Sequence, residues 1–262
     1  MKRALACLAF CLAFTPLCAF AWGPKGHEVV AHIAAMNLTP KARAAVAGLL
    51  GGEAEAMMAI NASWADEIRE ARPQTASWHY VNLQLSQDMR YRPARDCPRD
   101  NCVVAQILRQ EAVLRSNAPR QAKTEALRFL IHLIGDVHQP LHAADNRDRG
   151  GNQVRLRYRG QRINLHHFWD DEVVTPLGRD ARAIARAIDR LTPPVQKNRL
   201  AGGTPALWAE MSAAIARSSI YPELGRGGAV TAREAGSHSR IARVQLARAG
   251  YALAGTLNSI FR

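Results

Sequence analysis

The sequence predicts a mainly α, single-domain fold with a short β-hairpin. Three observations lead there. Apolar residues recur at helical spacing through most of the chain, in segments bounded by recognisable capping residues. Extended character is confined to residues 78–85 and 153–165. No internal repeat or low-complexity linker divides the 262 residues, a length that suits one substantial core.

Residues 1–21 read as an export leader. Lys2 and Arg3 form a positive start, Ala4 to Phe14 a short apolar run, and Ala19-Phe20-Ala21 a small-x-small cleavage site. Trp22 is therefore expected to begin the mature protein, with residues 22–262 as its one domain. The leader's apolar run is too short to span a bilayer, and no later segment is long and apolar enough. An exported monomer, periplasmic or secreted, is expected.

The elements follow in order. Gly26 to Met36 reads as a helix carrying His27. Thr39 is an N-cap, with Pro40 at the first position of a helix running to Leu50, and Gly51-Gly52 ends it. Residues 53–71 read as helix and carry Trp64-Ala65-Asp66-Glu67-Ile68-Arg69. Trp78 to Leu85 alternates in β-branched and aromatic character and is expected to be extended, holding His79. Residues 86–102 form a loop, Val103 to Ser116 a helix, and 122–139 a further helix. Pro140 lacks the N–H that would reach the carbonyl of Asp136, so this helix should kink or end there. Asp145 to Asn152 is a Gly- and Asp-rich loop. Gln153 to Leu165 reads as a hairpin turning at Arg159-Gly160-Gln161. His166 to Val174, 180–191, 205–218 and 231–260 read as helices, with loops at 192–205 and 222–228.

Charge and cysteines narrow the class. The formal charge is +13, and removing Lys2 and Arg3 leaves +11. Such an excess suits a polyanion or an anionic surface as partner, but arginine-rich codon usage and solubility explain it equally well. Cys7, Cys11 and Cys18 depart with the leader. Cys97 and Cys102 remain, separated by Pro-Arg-Asp-Asn, and an even pair in an oxidising compartment suggests a disulfide closing a small loop.

The chemistry concentrates in residues 126–142, Ala-Leu-Arg-Phe-Leu-Ile-His-Leu-Ile-Gly-Asp-Val-His-Gln-Pro-Leu-His. His132 and Asp136 share one helical face, about 40° apart. His142 follows the proline and can point back toward the same space. Imidazoles and a carboxylate on an apolar helix are costly to bury without partners, and a metal ion supplies one. Trp22, His27, Asp66, His79, His166 and Asp170 are further candidates. Zinc takes imidazole nitrogen and carboxylate oxygen where thiolates are absent. His167 and Asp171 repeat the spacing of His166 and Asp170, so spacing alone does not choose between the pairs.

Trp22-Gly-Pro-Lys-Gly-His27, Trp-Ala-Asp66, His79-Tyr80-Val81-Asn82, His132-x3-Asp136-x-His-Gln-Pro-x-His142, Gly150-Gly151-Asn152 and Asn164-Leu165-His166-x2-Trp169-Asp170 occur in this order. Together they resemble the zinc-dependent, single-strand-specific nucleases of fungi, plants and bacteria, which share a helical superfamily with bacterial zinc phospholipases C. The resemblance spans nearly all of residues 22–262. It implies three zinc ions. One would be held by Asp66, His79, His132 and Asp136. A second would be held by His27, a bridging Asp136, and the free amine and carbonyl oxygen of Trp22. The third would be held by His142, His166 and Asp170, leaving His32, His138, His167 and His238 outside. Asp66, Asp136 and Arg69 would be catalytic. Arg69 would hold a phosphate oxygen, or else form a surface ion pair with Glu70 or Asp66. Tyr80 could stack on a base or simply pack, Asn82 could reach a base edge, and Asn152 could touch substrate or shape its loop. The implied activity is endonucleolytic cleavage of RNA and single-stranded DNA to 5′-phosphate products, with action on 3′-mononucleotides. Zinc phospholipase C is the alternative reading of the same ligand set.

Overall fold

The computed structural model describes residues 22–262; the expected leader, with its cleavage site, lies outside the described residues. The architecture is mainly α, with two small sheets. Pro24 starts α1 (Pro24–Met36) at a first-turn position, where a missing N–H does no harm. Thr39 caps α2 (Pro40–Leu50), its hydroxyl accepting from the Ala42 amide at 3.2 Å.

Residues 53–71 are not one helix. The first part, α3 (Ala54–Ile60), stops at Asn61, whose side chain donates to the Met57 carbonyl at 2.8 Å. That bond competes with helix continuation. The chain restarts as α4 (Trp64–Glu67) and presents Asp66. The expected strand at 78–85 also needs correction. A 3-10 helix runs Pro73–His79, started by a proline that presets its φ, so His79 sits at a helix end. Extension begins only at Tyr80. β1 (Leu83–Gln84) then pairs in parallel with β2 (Ala144–Asp145).

Within the 86–102 loop lies α5 (Pro93–Asp96), and the Cys97–Cys102 disulfide closes the segment. α6 (Val103–Arg115) packs on α7 (Arg120–Val137), the spine of the molecule. α7 ends at Val137, before Pro140. The chain turns through His138-Gln139 into α8 (Pro140–Ala143), where Gln139 is the N-cap and Pro140 the first residue. Proline therefore acts as a helix starter as much as a breaker.

β3 (Arg155–Tyr158) and β4 (Gln161–Asn164) form the hairpin around Arg159-Gly160, whose φ values of 48° and 78° suit a tight two-residue turn. β5 (Gly228–Ala229) adds to β3 in parallel, giving the order β4-β3-β5. α9 (Leu165–His167) continues as a π-helical turn, Phe168–Glu172. After α10 (Ala181–Leu191), the presumed loop at 192–205 contains α11 (Pro194–Leu200), with Pro194 tolerated at its first position. α12 (Pro205–Ile215) runs through a π turn into α13 (Tyr221–Leu224), so the supposed 222–228 loop is half helix. α14 (Ala232–Ile260) opens with a Thr231/Glu234 capping box.

The core gathers around α7, α1 and α14, with Leu127, Leu130, Ile131, Leu133 and Ile134 of α7 fully buried. Among the described residues, no helix is long and apolar enough to cross a membrane.

Candidate metal centre

One face of α7 carries His132 and Asp136, both wholly buried. Other elements bring polar side chains to that face. The ligand atoms of His27, Asp66 and His132 lie within 4.8 Å of one another, as do those of His79, His132 and Asp136, and those of His142, His166 and Asp170. All are buried.

Asp136 sits at the centre. Its Oδ2 is 2.9 Å from His79 Nδ1 and 3.2 Å from His132 Nε2. Its Oδ1 faces the other way, 3.4 Å from His27 Nε2. Asp66 approaches the first pair, 3.5 Å from His79 and 3.6 Å from His132. One carboxylate thus addresses two groups of donors through separate oxygens. The third group lies past the α7–α8 turn, with His166 Nε2 3.7 Å from Asp170. Trp22 is fully buried beside this region; its ring centroid is 6.3 Å from that of Trp169, and Gly23 N donates to the Asp170 carbonyl at 3.0 Å.

The imidazoles are tethered from behind. His132 Nδ1 bonds the Ala62 carbonyl at 2.8 Å, His142 Nδ1 that of His79 at 2.7 Å, and His166 Nδ1 that of Gly150 at 2.7 Å. A carbonyl can only accept, so each Nδ1 carries the proton, and in the neutral ring each Nε2 presents a lone pair. The Nε2 atoms of His142 and His166 then face each other at 3.0 Å. Two lone pairs at that separation repel unless a cation lies between them. His27 Nε2 and Asp136 Oδ1 are likewise buried with no hydrogen-bond partner. This nitrogen and oxygen donor set fits zinc.

Two glycines make the packing possible. A Cβ on Gly135 would lie 2.7 Å from His27 Nδ1, so only glycine lets that ring lie against α7, stacked 3.9 Å from His132. Gly150 has φ +62°, and a Cβ there would meet the Leu141 carbonyl at 2.5 Å. Its own carbonyl is thereby free to hold His166.

Electrostatics fit the same reading. Burial and the neighbouring His132 lower His27 to about 4, and burial with His142 nearby lowers His166 to about 3. Burial also lowers His142. For His132 burial opposes protonation, but Asp136 and Asp66 overcome it and raise the ring to about 9. Burial tends to raise Asp136, yet the imidazoles around it hold it well below the usual carboxylate range. Asp170 is pushed well above that range, mainly by burial. A dication would favour neutral imidazoles and charged carboxylates together.

The spacing ambiguity resolves in space. His166 and Asp170 join His142 inside, whereas His167 and Asp171 pair at 3.4 Å with both side chains more than 40% exposed. His32 pairs with Glu55, His138 donates to the Ile134 carbonyl, and His238 lies 3.2 Å from Glu223. Arg69 donates to Asp66 Oδ1 at 3.2 Å, and its charge reaches His166. Tyr80 is 40% exposed and Asn82 exposed, on the same side of an extended segment around buried Val81. Asn152 donates to the Arg149 carbonyl at 2.8 Å and shapes its own loop.

Gln139 is the functional residue that sequence reading passed over. It is fully buried, donates to Asp170 Oδ1 at 2.7 Å, and accepts from the Leu141 amide at 2.6 Å. One amide orients a candidate ligand and starts the helix carrying another. A buried polar residue directly before the proline was the available signal.

Residues 22–262 match the family model described as S1/P1 Nuclease. Endonuclease 3 of Arabidopsis thaliana is 31% identical, over 93% of this chain and 90% of its own length. Endonuclease 2 of the same plant is 29% identical over 92% and 90%. Nuclease S1 of Aspergillus oryzae is 33% identical over 65% of this chain and 60% of its own.

Proposed function

Because this chain belongs to the S1/P1 nuclease family, we propose that it is an exported zinc-dependent endonuclease. It cleaves RNA and single-stranded DNA to 5′-phosphate products and also acts on 3′-mononucleotides. The observation that carries this reading is the pair of facing lone pairs on His142 and His166, beside a carboxylate whose oxygens address two further donor groups. Family membership favours nucleic acid over a phospholipid substrate.

Asp66, His79, His132 and Asp136 hold one zinc. His27, Asp136 and the amine and carbonyl oxygen of Trp22 hold a second, once cleavage frees that amine. His142, His166 and Asp170 hold the third. When bound, the ions supply positive charge to a phosphodiester and lower the pKa of water from 15.7 to ~7.

The chain's own residues do the rest. Arg69 holds a phosphate oxygen by charge-assisted hydrogen bonds, with Asp66 fixing its guanidinium at 3.2 Å. Tyr80 offers a stacking face to a base, a sequence-tolerant contact worth ~1–3 kcal/mol. Asn82, two residues on along the same side, meets the base edge. Gln139 keeps Asp170 aimed inward, and Gly150 keeps His166 aimed at His142.

The test is to incubate protein beginning at Trp22, with zinc, against denatured DNA and against phosphatidylcholine vesicles. DNA cleavage without lipid cleavage is expected. Lipid cleavage without DNA cleavage overturns the reading.

A further inference from the structure

The hairpin that leads into His166 carries a charge pattern the active site does not use. Between positions 147 and 164 stand Arg147, Arg149, Arg155, Arg157, Arg159 and Arg162, all exposed. The one acid in that stretch, Asp148, is buried and accepts from Tyr221 Oη at 2.9 Å and Gly151 N at 2.8 Å. Among the described residues, none of the six arginines has an acidic partner within ion-pair distance.

Their placement is ordered. The register sets Arg157 opposite Arg162 and Arg155 opposite Asn164. Residues paired across strands share a face, and so do residues two apart along one strand. Arg155, Arg157, Arg162 and Asn164 therefore line one surface of the ribbon. Leu156 and Tyr158 face the interior, with Tyr158 edge-on to Phe168 at 5.3 Å. Asn164, the last residue of β4, caps α9 by accepting from His167 N at 2.7 Å, two residues before His166. The arginine face thus ends, at Asn164, two residues before the candidate ligand His166 and runs from there toward the turn.

Like charges directly opposite destabilise a hairpin. Protection of a sheet edge would explain charge on β4, the edge strand, but Arg155 and Arg157 are on the central strand. Arg147, Arg149 and Arg159 have φ of 61°, 60° and 48°, where glycine or asparagine sits more comfortably. Apart from Arg159, whose guanidinium lies over the Tyr158 ring at 5.1 Å, folding alone favours none of these arginines.

We propose that this face is a track for the phosphate backbone of a single-stranded polynucleotide, engaging nucleotides beyond the one being cut. The proposal deepens the nuclease reading and rests on it. Arg157 and Arg162 lie two residues along the strands from Arg155 and Asn164, about 7 Å, with the turn beyond them. A stacked strand rises ~3.4 Å per nucleotide, so this stretch takes in up to about two nucleotides. It makes the enzyme prefer long strands to mononucleotides, and makes that preference salt-dependent.

The test is the double variant R157Q/R162Q, which removes a like-charge pair at exposed positions and is checked for an unchanged melting temperature. Binding of a labelled 30-nucleotide oligodeoxythymidylate to EDTA-treated protein is measured by fluorescence anisotropy between 50 and 200 mM NaCl. Cleavage of the 30-mer and of a 3′-mononucleotide is measured with zinc. Losing two phosphate contacts flattens the log–log salt slope by about 1.4, at ~0.7 per contact for single strands. The parent's Kd therefore rises about sevenfold more than the variant's across that range. KM for the 30-mer should rise, while mononucleotide hydrolysis stays as in the parent. An unchanged slope, or equal losses on both substrates, overturns the track. If the parent binds the 30-mer with the expected slope yet cuts nothing, the nuclease reading falls and the track stands.

Discussion

Gly135→Ala gives a sharp test of how α7 makes room for its site. In an ordinary helix interior this change stabilises by about 0.8–1 kcal/mol, since alanine is the better helix former. Here the new Cβ would sit 2.7 Å from His27 Nδ1 and 3.0 Å from its Cε1. The ring is confined, because one face is stacked on His132 with centroids 3.9 Å apart and planes 13° from parallel. Relief requires a shift of about 0.7–1 Å to restore ordinary contact, and overpacking of this kind costs about 1–3 kcal/mol. The net stability change is therefore small, between about zero and 2 kcal/mol of loss. On the proposed ligand set the functional change is large, because His27 is the ligand that α1 would supply to the Trp22 site. We expect one zinc fewer per chain than in the parent by elemental analysis, a near-parental circular dichroism spectrum and melt, and strongly reduced DNA cleavage. His27→Ala should lose the same ion. A G135A protein with parental zinc content and activity would refute the packing argument.

Other predictions follow from the same geometry. A protein retaining one residue before Trp22 has an amide where the chelating amine is required, so it should lose one zinc and most activity; parental metal content would exclude the chelate. Gln139→Leu removes the bond to Asp170 and the cap of α8, and should lower zinc affinity about 10–100-fold, as loss of a ligand's supporting bond typically does, read by competition with a chelating dye. In EDTA-treated protein, burial holds His27 and His138 at about 4 and His166 at about 3. These folded values lie below the unfolded 6.5, so their contribution is present above pH 6.5 and lost as pH falls toward 4. Asp170 works the other way, since its raised value favours the fold as pH falls. Burial lowers His142 as well, so the depressed histidines outnumber Asp170 and the unfolded chain takes up protons on balance as pH falls from 6 to 4.5. Melts of metal-free protein should fall steeply across that range, and a flat profile would contradict the assignment. Reducing Cys97–Cys102, which closes a loop of sequence separation 5, should cost about 2 kcal/mol by loop entropy, measured as a lower melting temperature in dithiothreitol.

The site was more legible in the sequence than the fold's details, and the reason is physical. Ligand spacing on a regular helix is fixed by 3.6 residues per turn, so His132 and Asp136 declared a common face without any tertiary knowledge. Caps were equally local: Thr39 and Thr231 bond amides within three residues. His79 was misplaced because alternation over Trp78–Leu85 mimics a strand. Its neighbour Val81 bonds the His142 carbonyl, 61 positions away in the chain, and no local signal encodes that partner. The Pro193-Pro194 pair read as a loop because proline breaks helix interiors, yet Pro194 sits at a first position where it does no harm. The choice of His166 over His167 needed the resemblance, since both sit one turn before an aspartate. Only the tertiary fold, through the Gly150 carbonyl and the facing His142, separates them physically.

The account rests on zinc held by these buried donors and on its use against nucleic acid. The direct measurement is a metal count on purified protein beginning at Trp22, paired with cleavage of denatured DNA before EDTA, after EDTA and after zinc is restored. Three zinc ions per chain, loss of cleavage on stripping and recovery with zinc are the expected result. Full cleavage by protein stripped of metal would contradict the account at its centre.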